Sequence, residues 1–399
     1  MKLLSQNALK LQPSVTFTIS GKTAEIKRAG GDVVDFSIGE PDFPTPEHIK
    51  EAGKTAIAED FTRYTPIAGI AELRQAIAGK LLRDNGLRYD PAQITVTGGG
   101  RQAIANALCA MINPGDEVII VAPAWVSYKQ LILLYGGTPV LVPVERANDY
   151  LPTRAAMDAA LSLKTKAVII TTPSNPTGRI LPEETLRMVA DFAAQNDVFI
   201  IADEIYEKLV FDDTERHVSI ASLDPATFER TVVVNGLSKN YCMTGWRIGY
   251  SAAPPQLAKL MTTIQNHTTA HISSISQKAA LAALTADQTC VDTMRRAFAE
   301  RRDYIYNRVC AIDGLYAVKP QGAFYIFIDV SGALGRAYQG RIIQNALDFA
   351  DILLTEYLVA AVPCEDFGVE NHIRLSFATS LETIEKGMDR LSKFMRELA

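Results

Sequence analysis

"QITVTGGGRQAIANAL", residues 93–108, runs from a β-branched stretch through three consecutive glycines into a helical pattern. A strand that turns through residues without side chains straight into a helix opens a strand–helix–strand unit. It also aims the first N–H groups of that helix past the strand end, where an anion can sit. Gly99, Gly100 and Arg101 are therefore candidate phosphate-binding residues. The segment also satisfies G-x-G-x-x-A through Gly98, Gly100 and Ala103. A dinucleotide site would need an acid near the end of the next strand. "EVIIVAPAW" (117–125) carries none there. The pattern points to a phosphate and away from NAD.

Six more short apolar runs follow, at 117–122, 138–144, 167–172, 198–203, 231–236 and 247–253. Helical patterns such as "EETLRMVADFAAQN" (183–196) separate several of them. This alternation predicts an α/β fold with a mainly parallel, seven-stranded sheet sandwiched by helices. Beyond residue 290 the pattern changes. "VDTMRRAFAERRDYIYNRVCAI" (291–312) leads into "AFYIFIDV" (323–330) and then helix, strand and helix again. The expected organisation is a large domain at 45–290, a smaller α+β domain at 291–399, and an N-terminal segment, 1–44, packing with the smaller one.

Composition narrows the function classes. The 399 residues are 48% hydrophobic and 21% charged, with a net charge of −5. No basic run exists to release counterions from nucleic acid. Apolar stretches fall short of the roughly 20 residues that span a bilayer, and "MKLLSQNALKLQPS" turns polar too early for a secretory segment. Five cysteines (109, 242, 290, 310 and 364) with no CxxC spacing suggest reduced thiols in a cytoplasmic protein, most of them small core residues. No metal is expected. Lys278 and the charges of "RRAFAERR" (295–302) are expected on solvated helix faces.

In open α/β sheets ligands bind beyond the carboxyl ends of the strands. Those ends carry Trp125, which either stacks on a flat ligand or packs in the core; Asn175 in "TTPSNPTG" (171–178); Asp203 and Tyr206 in "IIADEIYEKL" (200–209); and Lys239 in "NGLSKNYCMTGWRIGY" (235–250), followed by Arg247. A carboxylate ending so apolar a strand needs a partner. Together these residues suit a planar, phosphorylated aldehyde held by an amine.

With "FSIGEPDFPTP" (36–46) and "NHIRLSFAT" (371–379), the chain resembles a class I, aspartate-type aminotransferase of fold type I, in its bacterial and plastid subgroup. The resemblance implies pyridoxal 5′-phosphate as cofactor. It implies that Lys239 holds the cofactor covalently and moves the substrate α-proton, that Asp203 faces the ring nitrogen, and that Tyr206 and Asn175 bond the ring 3-oxygen. Arg247, Ser238 and the amides of Gly100 and Arg101 would hold the phosphate. Tyr64, in "RYTPIAGIAELR" (63–74), would reach the phosphate of a neighbouring subunit, which predicts a homodimer. Arg374 would clamp the substrate α-carboxylate, Gly39 would pass beside it, and Thr16 would lie near the substrate side chain.

Four positions depart from residues common in the family: Ile38, Ala124, His271 and Cys364. They lead us to expect a substrate mouth altered from strict aspartate specificity, with Ile38 and His271 on it. The expected reaction moves an amino group from an aspartate- or glutamate-like donor to a 2-oxo acid. The same carbanion chemistry would also serve β- or γ-elimination, replacement or cyclisation on a larger amino acid. A non-enzymatic regulator of this fold is disfavoured by the complete Lys239, Asp203 and Arg374 set.

Overall fold

In the computed structural model, which describes residues 4–13, 15–212 and 214–399, the seven runs form one sheet. A short strand β1 (Val34–Asp35) precedes it. The sheet comprises β2 (Ile94–Thr97), β3 (Glu117–Val121), β4 (Thr138–Val142), β5 (Thr165–Thr171), β6 (Phe199–Asp203), β7 (Thr231–Gly236) and β8 (Gly249–Ala252). Their order is β2-β8-β7-β6-β5-β3-β4. β8 pairs antiparallel with both β2 and β7, whereas β7–β6, β6–β5, β5–β3 and β3–β4 are parallel. β2, β3, β5, β6 and β7 therefore all end at one edge of the sheet.

Both faces are covered, as continuous apolar strands require. Val118, Ile120, Ala167, Ile169 and Ile201 pack with Ala103, Ile104 and Leu108 of the helix Gly100–Met111. Their neighbours Ile119, Val168, Ile170 and Ile200 point the other way, onto Leu186, Val189 and Phe192 of the helix Glu183–Gln195. This period-two division between two cores fixes the register, because a one-residue slip would exchange every side chain between faces.

The C-terminal part contains β9 (Tyr316–Ala317), β10 (Tyr325–Asp329), β11 (Ala337–Tyr338), β12 (Arg341–Ile342), β13 (Val359–Ala360), β14 (Val362–Pro363) and β15 (His372–Ser376). β14-β15-β10-β9 make an antiparallel sheet, packed with the helices Thr289–Cys310, Ala346–Tyr357 and Leu381–Glu397. β1 pairs in parallel with β13, joining the N-terminal segment to this part. The segment also touches the large sheet's helices, where the Gln12 amide donates to Gln130 Oε1 at 3.0 Å.

Two expectations are corrected. Arg302 of "RRAFAERR" is not solvated but 1% exposed. Its guanidinium donates twice to Asp212 at 2.9 Å and once to the Pro320 carbonyl at 3.0 Å, so two distant loops cover that helix face. Arg301 is bidentate to Asp42 at 2.7 and 3.0 Å, and Lys278 lies 4.6 Å from the Phe61 ring centroid. All five cysteines are free thiols, but only Cys364 is buried. Among the described residues, no helix is long and apolar enough to cross a membrane.

Gly387, in the helix Leu381–Glu397, decides how closely that helix approaches β1. A Cβ there would fall 2.4 Å from two Phe36 ring carbons and 2.8 Å from Val34 Cγ1. Overpacking of this kind costs about 1–3 kcal/mol. Gly387→Ala is expected to lower the denaturant midpoint accordingly. An unchanged midpoint would show that the contact relaxes freely.

Candidate active site

The site is built on the edge where the parallel strands end. After β2 the chain turns through Gly99 at φ 90° and enters the helix Gly100–Met111. That left-handed backbone suits glycine, and it lets the Arg247 guanidinium approach closely, since a Cβ on Gly99 would lie 2.7 Å from Arg247 Nη2. The Arg247 guanidinium crosses the turn, donating to the Thr244 carbonyl at 2.8 Å and the Gly98 carbonyl at 3.1 Å. Gly249 brings β8 against the same turn, its ideal Cβ 2.8 Å from the Gly100 nitrogen. A guanidinium and the free N–H groups of a helix start thus converge in a cradle without side chains. Buried Ser238 lies beyond the end of β7, beside Lys239.

Asp203 closes β6 and is buried. Tyr128 donates its O–H to Asp203 Oδ2 at 2.5 Å and sits 2.8 Å from the Thr171 hydroxyl, and the Ile205 amide donates to Asp203 Oδ1 at 3.3 Å. Burial pushes the Asp203 carboxyl up to about 6, although the Tyr128 hydrogen bond, the Ile205 amide and the nearby Lys239 charge favour the anion. Tyr128 escaped the sequence reading. It stands one helical turn after Trp125, a spacing that could have drawn attention to it.

Behind Asp203 lies a second buried set. Glu204 accepts from Ser219 Oγ at 2.6 Å and faces His217 Nε2 at 3.1 Å. Glu207 pairs with the Lys80 ammonium and accepts from Asn85 at 2.9 Å. Glu204, Glu207 and His217 bring potential ligand atoms within 4.8 Å of one another, and Lys80 supplies the positive charge there.

Lys239 follows β7, and its amine donates to the Gly39 carbonyl. Burial brings this amine down to about 8, helped by the Arg374 and Arg247 charges and opposed by Glu40 and Asp203. A lysine so tuned has a substantial neutral fraction near neutral pH, as a nucleophile and proton acceptor requires.

Arg374, on β15, is buried. It donates to Asn175 Oδ1 at 3.0 Å and to the Ser37 carbonyl at 2.9 Å, while its Nε has no hydrogen-bond partner among the described residues. The guanidinium carbon lies 4.5 Å from the Tyr325 ring centroid and 5.4 Å from that of Phe367. Tyr206 and Tyr325 hold their hydroxyls 3.0 Å apart. Tyr325 is a second residue that the sequence reading missed.

The remaining predicted residues have their own surroundings. Trp125 packs edge-on against Tyr128, centroids 5.4 Å apart, and the Arg101 guanidinium stands 4.9 Å from its ring centroid. Tyr64 is 93% exposed and meets His271 edge-to-face at 5.2 Å. His271 Nδ1 is 3.2 Å from Thr65 Oγ1, so His271 accompanies Tyr64. Ile38 is half-exposed beside Gly39. Ala124 and Cys364 are buried, and Cys364 packs with Phe367 behind Arg374. The Thr16 side chain lies outside the described residues.

These residues fit a phosphorylated pyridine aldehyde. The glycine cradle and Arg247 suit its phosphate, and Lys239 suits its carbonyl carbon. Asp203 is a buried carboxylate with no cation at ion-pair distance among the described residues, as a protonated ring nitrogen would require. Fold and donor set together define a pyridoxal-phosphate-dependent enzyme of fold type I.

Comparison with known proteins agrees. Residues 31–391 match the family aminotransferase class I and II. The chain is 42% identical to the aspartate aminotransferase of Geobacillus stearothermophilus, covering 99% of this chain and 100% of that one. It is also 42% identical to the aspartate/prephenate aminotransferase of Cereibacter sphaeroides, covering 100% of both. Among solved structures, the aspartate aminotransferase of Rhizobium meliloti superposes with a TM-score of 0.97 at 37% identity, covering 100% of both chains. That of Thermus thermophilus with maleate gives 0.92 at 39% identity, covering 98% of this chain and 100% of that one. The chain belongs to the class I and II aminotransferases and moves an amino group between an amino acid and a 2-oxo acid. These relatives do not favour the elimination or cyclisation chemistry.

Tyr128→Phe removes a hydrogen bond that favours the Asp203 anion, so the carboxyl pKa must rise above about 6. The loss of a bond to a charged group, about 1.5–3 kcal/mol, corresponds to about 1–2 pH units. As pH falls, cofactor affinity should then weaken at a higher pH in the variant. Equilibrium titrations with pyridoxal phosphate at several pH values measure this, and coincident profiles would contradict it.

Proposed function

We propose that the chain is an aminotransferase for dicarboxylic donors such as aspartate and glutamate, with a 2-oxo acid as acceptor. The observation that carries this is the buried Arg374, held on two sides by Asn175 and the Ser37 carbonyl, with its Nε and further N–H groups unpartnered among the described residues. A fixed, planar guanidinium of this kind suits a bidentate bond to the α-carboxylate. Arg101, held across Trp125, offers a second cation for an acidic side chain. The names of the relatives support the same donor. Ile38, at the mouth, leaves room for a preference of its own.

In this reading Lys239 holds the cofactor and its Nζ takes the proton from the substrate Cα, then returns it. The bound ring supplies an electron sink for the electrons of the Cα–H bond. Asp203 keeps a positive charge at the ring nitrogen, and Tyr128 holds Asp203 in its ionised, oriented form. Tyr206 and Asn175 donate to the ring oxygen; Arg247, Ser238 and the amides of Gly100 and Arg101 take the phosphate; Trp125 covers one ring face. Arg374 fixes the substrate so that its Cα–H bond faces the ring, which accelerates the reaction more than binding alone.

The homodimer belongs to this proposal. Tyr64 is 93% exposed, which suits a tyrosine that completes a neighbouring copy's phosphate site with His271 as its support. Light scattering should give the mass of two chains, and Tyr64→Ala should weaken pyridoxal-phosphate binding. A monomer that binds the cofactor normally would exclude this arrangement.

Single-turnover mixing with aspartate or glutamate should shift the visible absorption to the amino form of the cofactor, and 2-oxoglutarate should restore it. Lys239→Ala should slow the shift by about 100- to 10,000-fold. Failure of both donors with an otherwise coloured enzyme would refute the dicarboxylic reading.

A further inference from the structure

We propose that Tyr325 is a positioning residue, holding the Tyr206 hydroxyl and the Arg374 guanidinium in a single arrangement. The inference rests on the function proposed above and extends it to a residue outside the expected site.

Strand register supplies the first argument. On the antiparallel pair β10–β15, Phe327 stands opposite Arg374 and Tyr325 opposite Ser376. Directly paired residues share a face, and so do residues two apart on a strand. Tyr325 and Arg374 therefore project to the same side. The guanidinium carbon lies 4.5 Å from the Tyr325 ring centroid, well within reach of a cation–π contact. The ring covers one face of the guanidinium, leaving its edges for Asn175, the Ser37 carbonyl and a carboxylate.

The hydroxyl supplies the second. It is 3.0 Å from the Tyr206 hydroxyl, whose only hydrogen bond among the described residues this is. It also lies against the chain at Gly39, where a Cβ would come within 2.8 Å of it; the carbonyl of that glycine accepts from Lys239. Tyr325 is 1% exposed, so water does not substitute for either contact.

The consequence is chemical. A tyrosine hydroxyl has one proton to give. When Tyr206 gives its own to the cofactor's ring oxygen, Tyr325 is left to donate to Tyr206, and a hydroxyl that accepts one hydrogen bond donates another more strongly. The charged and titratable groups facing Tyr206 are Tyr325 on β10, Arg374 on β15 and Asp203 at the end of β6; Lys239 follows β7. Of these, Tyr325 alone bonds the Tyr206 hydroxyl. Without it, more charge stays on the ring oxygen, and the titration of the bound cofactor's visible absorption moves to higher pH.

Two variants of the holoenzyme separate the roles. Tyr325→Phe keeps the ring and removes the hydroxyl: the absorption midpoint should rise by about 0.4–1 pH unit, with the KM for aspartate within about twofold of wild type. Tyr325→Leu removes both, and KM should rise about 3- to 30-fold as Arg374 loses its support. Phenylalanine, but not leucine, thus restores substrate affinity while leaving the spectral shift in place. Superimposable titrations of wild type and Tyr325→Phe, or equal KM values in the two variants, would overturn the proposal. A wild-type enzyme with no visible band would instead overturn the function on which it rests.

Discussion

Asp203 is an ionisable group buried at the end of a wholly apolar strand, and the rest of the site is arranged around that cost. Burial, opposed by its hydrogen bonds, leaves its carboxyl raised to about 6, so the anion near neutral pH depends on help. Tyr128 and the Ile205 amide give part of it. In the proposed function a protonated ring nitrogen of the cofactor would give the rest, because an ion pair in a partly buried site is far stronger than in water. The carboxylate and the cofactor ring would thus be each other's counter-ion.

The adjacent acid makes the demand sharper. Glu204 follows Asp203 and contributes to that rise. The chain directs Glu204 away, toward His217 and Ser219, and places the Lys80–Glu207 pair beyond it. A buried group with such partners is tolerable; one without them would protonate. The site therefore rests on a polar layer reaching well behind the residues that touch the ligand. Its other half comes from the C-terminal sheet. Arg374 on β15 is tied to Ser37 and Asn175, and Lys239 to Gly39. The short segment Ser37–Gly39 thus touches both the amine and the guanidinium, which in the proposed function would place substrate recognition and proton transfer on one piece of backbone.

Much of this was legible in the sequence. Buried parallel strands read as continuous β-branched runs, and their ends carried the residues that the fold gathers at one edge. The strand order was not legible: nothing local indicates that β8 inserts between β2 and β7. Tyr128 and Tyr325 are ordinary tyrosines in apolar surroundings, and what they touch depends on register set far away in the chain. Arg302 misled for the same reason. Its neighbours have the charge density of a solvated helix, yet Asp212, 90 residues earlier, comes across to cover it. His271 lies where its sequence neighbours place it, but its partner Tyr64 comes from 207 positions away.

The central claim is that Asp203 keeps the cofactor ring positively charged. Nitrogen-15 NMR of the enzyme loaded with ring-labelled pyridoxal phosphate reads the protonation of that nitrogen directly. The wild type should hold the proton from about pH 6 to about pH 9, and Asp203→Asn should lose it within that range. A ring nitrogen that is unprotonated in the wild type, or that keeps its proton in the variant, would contradict the account.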